Sequence, residues 1–106
     1  MDYSQLSDQE INLLVAKIQH PDKTFIESKT RSPSVVMLNH INMWIDYCNN
    51  PSDAWPIIVQ NRIGLNFVNG NWRAQSLKTG WVEFCHENPL RAAMTVFLMM
   101  QESKHA

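Results

Sequence analysis

Two segments of this chain, Asn50-Pro51-Ser52-Asp53-Ala54-Trp55 and Asn88-Pro89-Leu90-Arg91-Ala92-Ala93, carry the same helix-start signature, and each runs into an apolar stretch. An Asn side chain accepts from the exposed N–H groups of a first turn. The Pro after it stands where no N–H is missed and where its fixed φ suits the helix. The pair constrains architecture and says nothing of chemistry. In the first segment Pro56 decides where the helix begins. With Asp53 as the cap, Pro56 falls in the first turn and removes no bond, whereas with Asn50 as the cap it interrupts the helix. The cheaper arrangement starts this helix at Asp53 and ends it near Arg62, with Asn61 to Gly64 as the exit.

A third helix is written at the N-terminus. Leu6-Ser7-Asp8-Gln9-Glu10-Ile11 reads as a capping box, Ser7 with Glu10, inside a staple of Leu6 on Ile11. Ile11, Leu14, Val15 and Ile18 then form one stripe at helical spacing, and Pro21 closes the segment near Gln19. Asn69-Gly70 is the preferred type I′ dipeptide. A two-residue turn there opposes Val68 with Asn71, Phe67 with Trp72, Asn66 with Arg73 and Leu65 with Ala74. Apolar residues meet apolar ones, so Ile63, Leu65, Phe67, Trp72 and Ala74 share the core face, while Asn66, Arg73 and Gln75 share the solvated one. A third strand, Trp81 to His86, turns Val82 and Phe84 to one side and Trp81, Glu83 and Cys85 to the other.

The helix from Pro89 to about Ser103 is apolar nearly all round, which leaves two arrangements. It is central, with sheet on one side and helices on the other, or it carries an interface through Met94, Phe97, Leu98, Met99 and Met100. Residues 20–48 have little periodicity and read as an irregular connection within one domain spanning residues 1–106, with a lean to extended structure between Val35 and Cys48. Lys23, Phe25, Ile26, Lys29 and Arg31, with Met43 and Trp44, make that segment either a lid over the core or a partner-binding loop.

Three blocks together carry a resemblance: Met1-Asp2-Tyr3-Ser4-Gln5-Leu6-Ser7-Asp8, Tyr47-Cys48-Asn49-Asn50-Pro51-Ser52-Asp53-Ala54-Trp55-Pro56-Ile57-Ile58 and Asn88-Pro89-Leu90-Arg91-Ala92-Ala93-Met94. They resemble the NinX-like proteins of lambdoid bacteriophages, a family of unknown function. The likeness covers roughly the first 18 residues and the stretch from Tyr47 onward; His20 to Asp46 and the third strand depart from it. It implies a phage or prophage protein acting in bacterial cytoplasm, and it supplies no activity, cofactor or catalytic residue. More distantly, the Asp-Ala-Trp helix, the Trp-bearing hairpin and the Ala-rich last helix look like the phage α/β/α sandwich domain.

Composition narrows the function classes. Nine basic against ten acidic residues give a formal charge of −1, too little to gather polyanions at long range. The N-terminus lacks the basic and apolar regions of a signal peptide, so Cys48 and Cys85 read as free thiols of a reduced compartment. Ala92 to Met100, the longest apolar stretch, is interrupted by Thr95 and is about half a membrane span. Cys85 and His86 are neighbours in a strand and point apart, so they make no thiol–imidazole dyad. His20, His40, Cys48, Cys85, His86 and His105 include no short-spaced ligand pair, and Gly64, Gly70 and Gly80 make no phosphate loop. No cofactor or metal is expected.

The expected molecule is therefore an α+β domain: an antiparallel sheet of about three strands packed with helices near 8–19, 53–62 and 89–103. The expected function is non-enzymatic, binding a host or phage protein, with a homodimer through the last helix as one form of it. The alternative is an auxiliary nucleic-acid-binding protein of phage replication or recombination. It would use Arg62, Asn66, Arg73 and Gln75 on the open sheet face, with Trp81 nearby for base stacking.

Overall fold

The computed structural model describes residues 2–23, 25–27, 36–38, 43–78 and 82–105. Their order is a 3-10 turn (Tyr3–Gln5), α1 (Asp8–Gln19), β1 (Phe25–Glu27), β2 (Val36–Leu38), β3 (Met43–Ile45), α2 (Pro51–Gln60), β4 (Ile63–Val68), β5 (Asn71–Ser76), β6 (Glu83–His86) and α3 (Pro89–His105). The α+β architecture with three helices follows the sequence reading, but the strands form two antiparallel three-stranded sheets, β1-β2-β3 and β4-β5-β6.

The first sheet lies inside the segment read as an irregular connection. Its strands are three residues each, too short for a period-two pattern to declare itself. Phe25 packs half-buried against the core and Ile45 is buried, so this sheet covers the core beside α1. Lys29 and Arg31 fall outside the described residues.

In the second sheet the β4–β5 register is the one the Asn69-Gly70 turn dictates, from Val68 opposite Asn71 back to Ile63 opposite Ser76. Asn69 (φ 52°) and Gly70 (φ 84°) both adopt the left-handed backbone a type I′ turn requires. The core face is shorter than the pattern suggests. Ile63 and Ala74 are buried and Leu65 is half-buried, but Phe67 is 61% exposed and leans edge-on against Trp72 at 5.4 Å between ring centroids. β6 begins at Glu83, with Phe84 turned to the core and Cys85 outward; Trp81 lies outside the described residues.

α3 runs through the middle, with β4, β5 and β6 on one side and α1 and α2 on the other. This is why the helix is apolar all round. Ala92, Ala93, Met94, Val96, Phe97, Leu98 and Met100 are buried and Met99 is half-buried. The two alanines let neighbouring backbones approach, and each large side chain removed from water contributes roughly 1.5–3 kcal/mol.

α1 starts from the capping box as read, with Glu10 N donating to Ser7 Oγ at 3.1 Å and Ser7 N donating to Glu10 Oε1 at 3.0 Å. Its buried face is Ile11, Asn12, Val15 and Ala16; Ile18 is 38% exposed, so a polar residue replaces an apolar one in the expected stripe. The start of α2 corrects the sequence expectation. Asn50 is the cap, accepting from Ser52 N at 3.0 Å, and Pro56 lies inside the helix. Asp53 is not available as a cap because its Oδ2 accepts from Asp46 N at 3.0 Å. Pro56 and Ser52 are exposed, so the carbonyl that loses its helical donor remains in contact with water.

Candidate functional site

Among the described residues, polar side chains gather at a joint where the starts of α1 and α3 meet the turn at 46–50. Arg91, 4% exposed, donates to Asp8 Oδ1 at 2.7 Å and to the carbonyls of Tyr3 and Leu6 at 2.8 and 2.7 Å. Asn12, fully buried, donates to Asp46 Oδ1 at 2.8 Å and accepts from Cys48 N at 3.0 Å. Asn88 accepts from Leu90 N at 2.9 Å as the cap of α3, and its amide nitrogen donates to the Cys48 carbonyl at 2.7 Å. Asn49 donates to Asp8 and Asp46.

These bonds hold three chain segments in register and leave little for a substrate. Among the described residues Arg91 Nε is a buried side-chain nitrogen with no partner. The Cys48 thiol is buried and faces the Asp8 carbonyl at 3.8 Å; desolvation, reinforced by the Asp8 charge, pushes its pKa far up and keeps it protonated. Cys85 is exposed, and the adjacent His86 uses Nδ1 to accept from Asn88 N at 2.9 Å. Among the described residues no three His, Cys, Asp or Glu side chains converge as metal ligands would. Among the described residues no helix is long and apolar enough to cross a membrane.

Beside α2 the surface opens into a cleft of about 210 Å³, lined by Gln19, His20, Ile45, Tyr47, Ser52, Asp53, Pro56 and Ile57. Tyr47 is 5% exposed, and burial together with the Asp53 charge raises its hydroxyl pKa to about 12. The adjoining surface of α2 is apolar: Trp55 is 58% exposed and Val59, one turn on, 52%. At ~100° per residue Val59 falls between Trp55 and the Ser52–Pro56 edge of the cleft, so helix face and cleft are continuous.

The expected interface at Met94, Phe97, Leu98, Met99 and Met100 does not coincide with this surface. Four of the five are buried and Met99 is half-buried, because the second sheet and the two other helices cover α3. Of the expected nucleic-acid face, Asn66 and Arg73 do come together as register partners, Arg73 Nε donating to Asn66 Oδ1 at 3.3 Å. Gln75 follows on β5 opposite Glu83, which adds a negative charge to that face. Arg62 lies off the strand, exposed at the exit of α2 with a left-handed backbone (φ 55°).

Asn12, Tyr47 and Asp53 escaped the sequence reading as site residues. Asn12 had a signal, since it stands four residues after Asp8 and four before Ala16 on the buried side of α1. Tyr47 and Asp53 had none, because what they face is set by the fold of the first sheet.

The described residues form a small α+β domain built round one buried helix, with many polar side chains engaged in a joint. The family model described as Bacteriophage P22, NinX matches residues 2–101, and the chain belongs to that family of phage proteins. The match runs through residues 20–46, which the sequence resemblance had left out. No curated protein and no solved structure matches.

Proposed function

We propose that this phage accessory protein acts by binding another protein, of the host or of the phage, in the bacterial cytoplasm, and that it does so through the outward face of α2 rather than by catalysis. The observation that carries this reading is Trp55, more than half exposed beside an exposed Val59 and next to a cleft. An exposed Trp adjoining a pocket is the composition of a binding hot spot. Phe67, the other large exposed ring of the described residues, already has Trp72 as an edge-on partner. Against catalysis stand the protonated, buried Cys48 and the His86 nitrogen engaged by Asn88.

The test is a tagged capture from phage-infected cells, with and without nuclease, comparing the native chain with Trp55→Ser and Arg73→Ala. A protein retained after nuclease, lost with Trp55→Ser and kept with Arg73→Ala, is the expected result. Nuclease-sensitive recovery of nucleic acid that falls with Arg73→Ala would refute the reading in favour of the sheet face. Sedimentation of the purified chain separates a second copy as partner from a different protein.

A further inference from the structure

The cleft beside α2 is lined by residues carrying hydrogen-bond acceptors with no partner among the described residues, beside the donor-bearing side chains of Gln19 and His20. An α-helix N-terminus ordinarily offers free N–H groups and attracts anions. Here those groups are spent: Pro51 has none, Ser52 N donates to Asn50 Oδ1, and the amides of Asp53 and Ala54 donate to the Asn50 carbonyl. The acceptors are not spent. Asp53 uses Oδ2 for Asp46 N, and Oδ1 has no hydrogen bond or ion pair among the described residues. Pro56 has no N–H to give the Ser52 carbonyl, so that oxygen lacks its helical donor at the cleft edge. Tyr47, more than nine-tenths buried, lines the cleft with a hydroxyl that makes no hydrogen bond to a described residue.

A carboxylate oxygen, a carbonyl oxygen and a hydroxyl on one small cleft call for a compact cationic donor. We infer that the cleft receives the ammonium group of a lysine side chain presented by the protein that docks on α2. A lysine head has three N–H donors and no acceptor, which suits three oxygens of which one is charged. Ile45, Ile57 and Pro56 supply apolar wall for its methylene stem. At about 210 Å³ the cleft falls short of the ~300–1,000 Å³ of metabolite pockets and has room for one long side chain. This inference rests on the docking face proposed above and adds the chemistry of its partner's anchor.

The test uses the full isotope-labelled chain and N-acetyl-lysine methylamide, followed by amide NMR shifts up to about 100 mM, where even a ~10 mM Kd saturates the site. N-acetyl-norleucine methylamide, with a similar stem and no charge, is the comparator. The expected result is saturable shifts around Tyr47 and residues 52–57 with the lysine compound alone. Asp53→Asn, which keeps an oxygen for Asp46 N, should weaken binding by about tenfold or more. Pro56→Ala supplies the missing donor to the Ser52 carbonyl, so it should weaken binding while raising Tm, a combination that loss of structure does not produce. Equal shifts with norleucine, unchanged binding by Asp53→Asn, or no saturable shift overturns the inference. If Trp55→Ser abolishes protein capture yet the lysine compound does not bind, the cleft assignment alone falls; if it binds and no protein is captured, the docking reading falls.

Discussion

Replacing Arg91 by Met tests whether the polar joint holds the fold together. The guanidinium is buried and makes three bonds: to Asp8, and to the carbonyls of Tyr3 and Leu6 in the N-terminal segment. Removing one partner of a buried ion pair costs about 3–5 kcal/mol. The Asp8 side chain is 32% exposed and can regain water, which moves its share to the low end of that range. The Tyr3 carbonyl keeps the Leu6 N–H at 3.2 Å, so losing its second donor adds about 0.5–1.5 kcal/mol rather than the cost of an unsatisfied acceptor. Methionine fills much of the space, so cavity terms stay small. The expected loss is about 3–5 kcal/mol, against a total of about 5–15 kcal/mol for a domain of this size. Tm should then fall by roughly 12–25 °C. Urea unfolding read by circular dichroism measures the loss, and hydrogen exchange at the amides of Gln5 and Leu6, which bond the Asp2 and Tyr3 carbonyls, reports release of the segment. A loss below about 1 kcal/mol with unchanged exchange at Gln5 and Leu6 would refute the reasoning, since no arrangement of a stable joint spares its central cation.

Asn88→Ala removes both a cap and the bond to the Cys48 carbonyl, and should cost about 2–3 kcal/mol in urea unfolding, against ~1 kcal/mol for a cap alone. Asn88→Asp keeps the capping oxygen; a stability equal to that of the native chain would show that the Cys48 contact contributes nothing. Thiol labelling should modify Cys85 at once and Cys48 only with unfolding, because one is exposed and the other buried with a raised pKa; equal rates in the native state would contradict the burial. The Ser7 amide and hydroxyl hold the Glu10 carboxyl below its ordinary value of 4.5. A depressed folded-state pKa gives stability that is present above the unfolded value and is lost as pH falls through the folded one. Glu10→Gln should therefore lower the urea midpoint at pH 7, with the gap to the native chain closing below about pH 4.5; a gap that widens in acid would reverse the sign.

What the sequence discloses is local. The Ser7–Glu10 box and the Asn69-Gly70 turn lie within four residues of the groups they bond, and the hairpin register follows from the turn. The role of α3 was legible as a choice of two, because an all-apolar helix must be covered and no local pattern says whether the second sheet and the other helices cover it or a partner does. Two kinds of feature stay hidden. The first sheet is built from strands too short to carry a period. The start of α2 depends on a competition that local cost misjudges: capping at Asp53 would spare a helical bond at Pro56, yet Asp53 is worth more holding Asp46 N across the turn, and the bond Pro56 forfeits is at an exposed edge.

The two Asn-Pro starts that dominate the sequence turn out to share one support. Each Asn amide has an oxygen that caps its own helix, a bond within three residues that sequence can foresee. The nitrogen of Asn88 reaches back 40 residues to the Cys48 carbonyl, two positions before the cap of α2. Asn12 fixes the same turn from α1 by accepting from Cys48 N and donating to Asp46. Asp46 N in turn donates to Asp53, which lines the cleft. The cleft edge at Tyr47 and Asp53 is therefore set by the joint that orients α1, α2 and α3, and a buried asparagine on α1 serves the proposed binding site without touching it. Preorganisation of this kind reduces the ordering cost of binding. It gives a physical reason for so many polar groups to be buried together where an apolar joint of the same shape would be as stable.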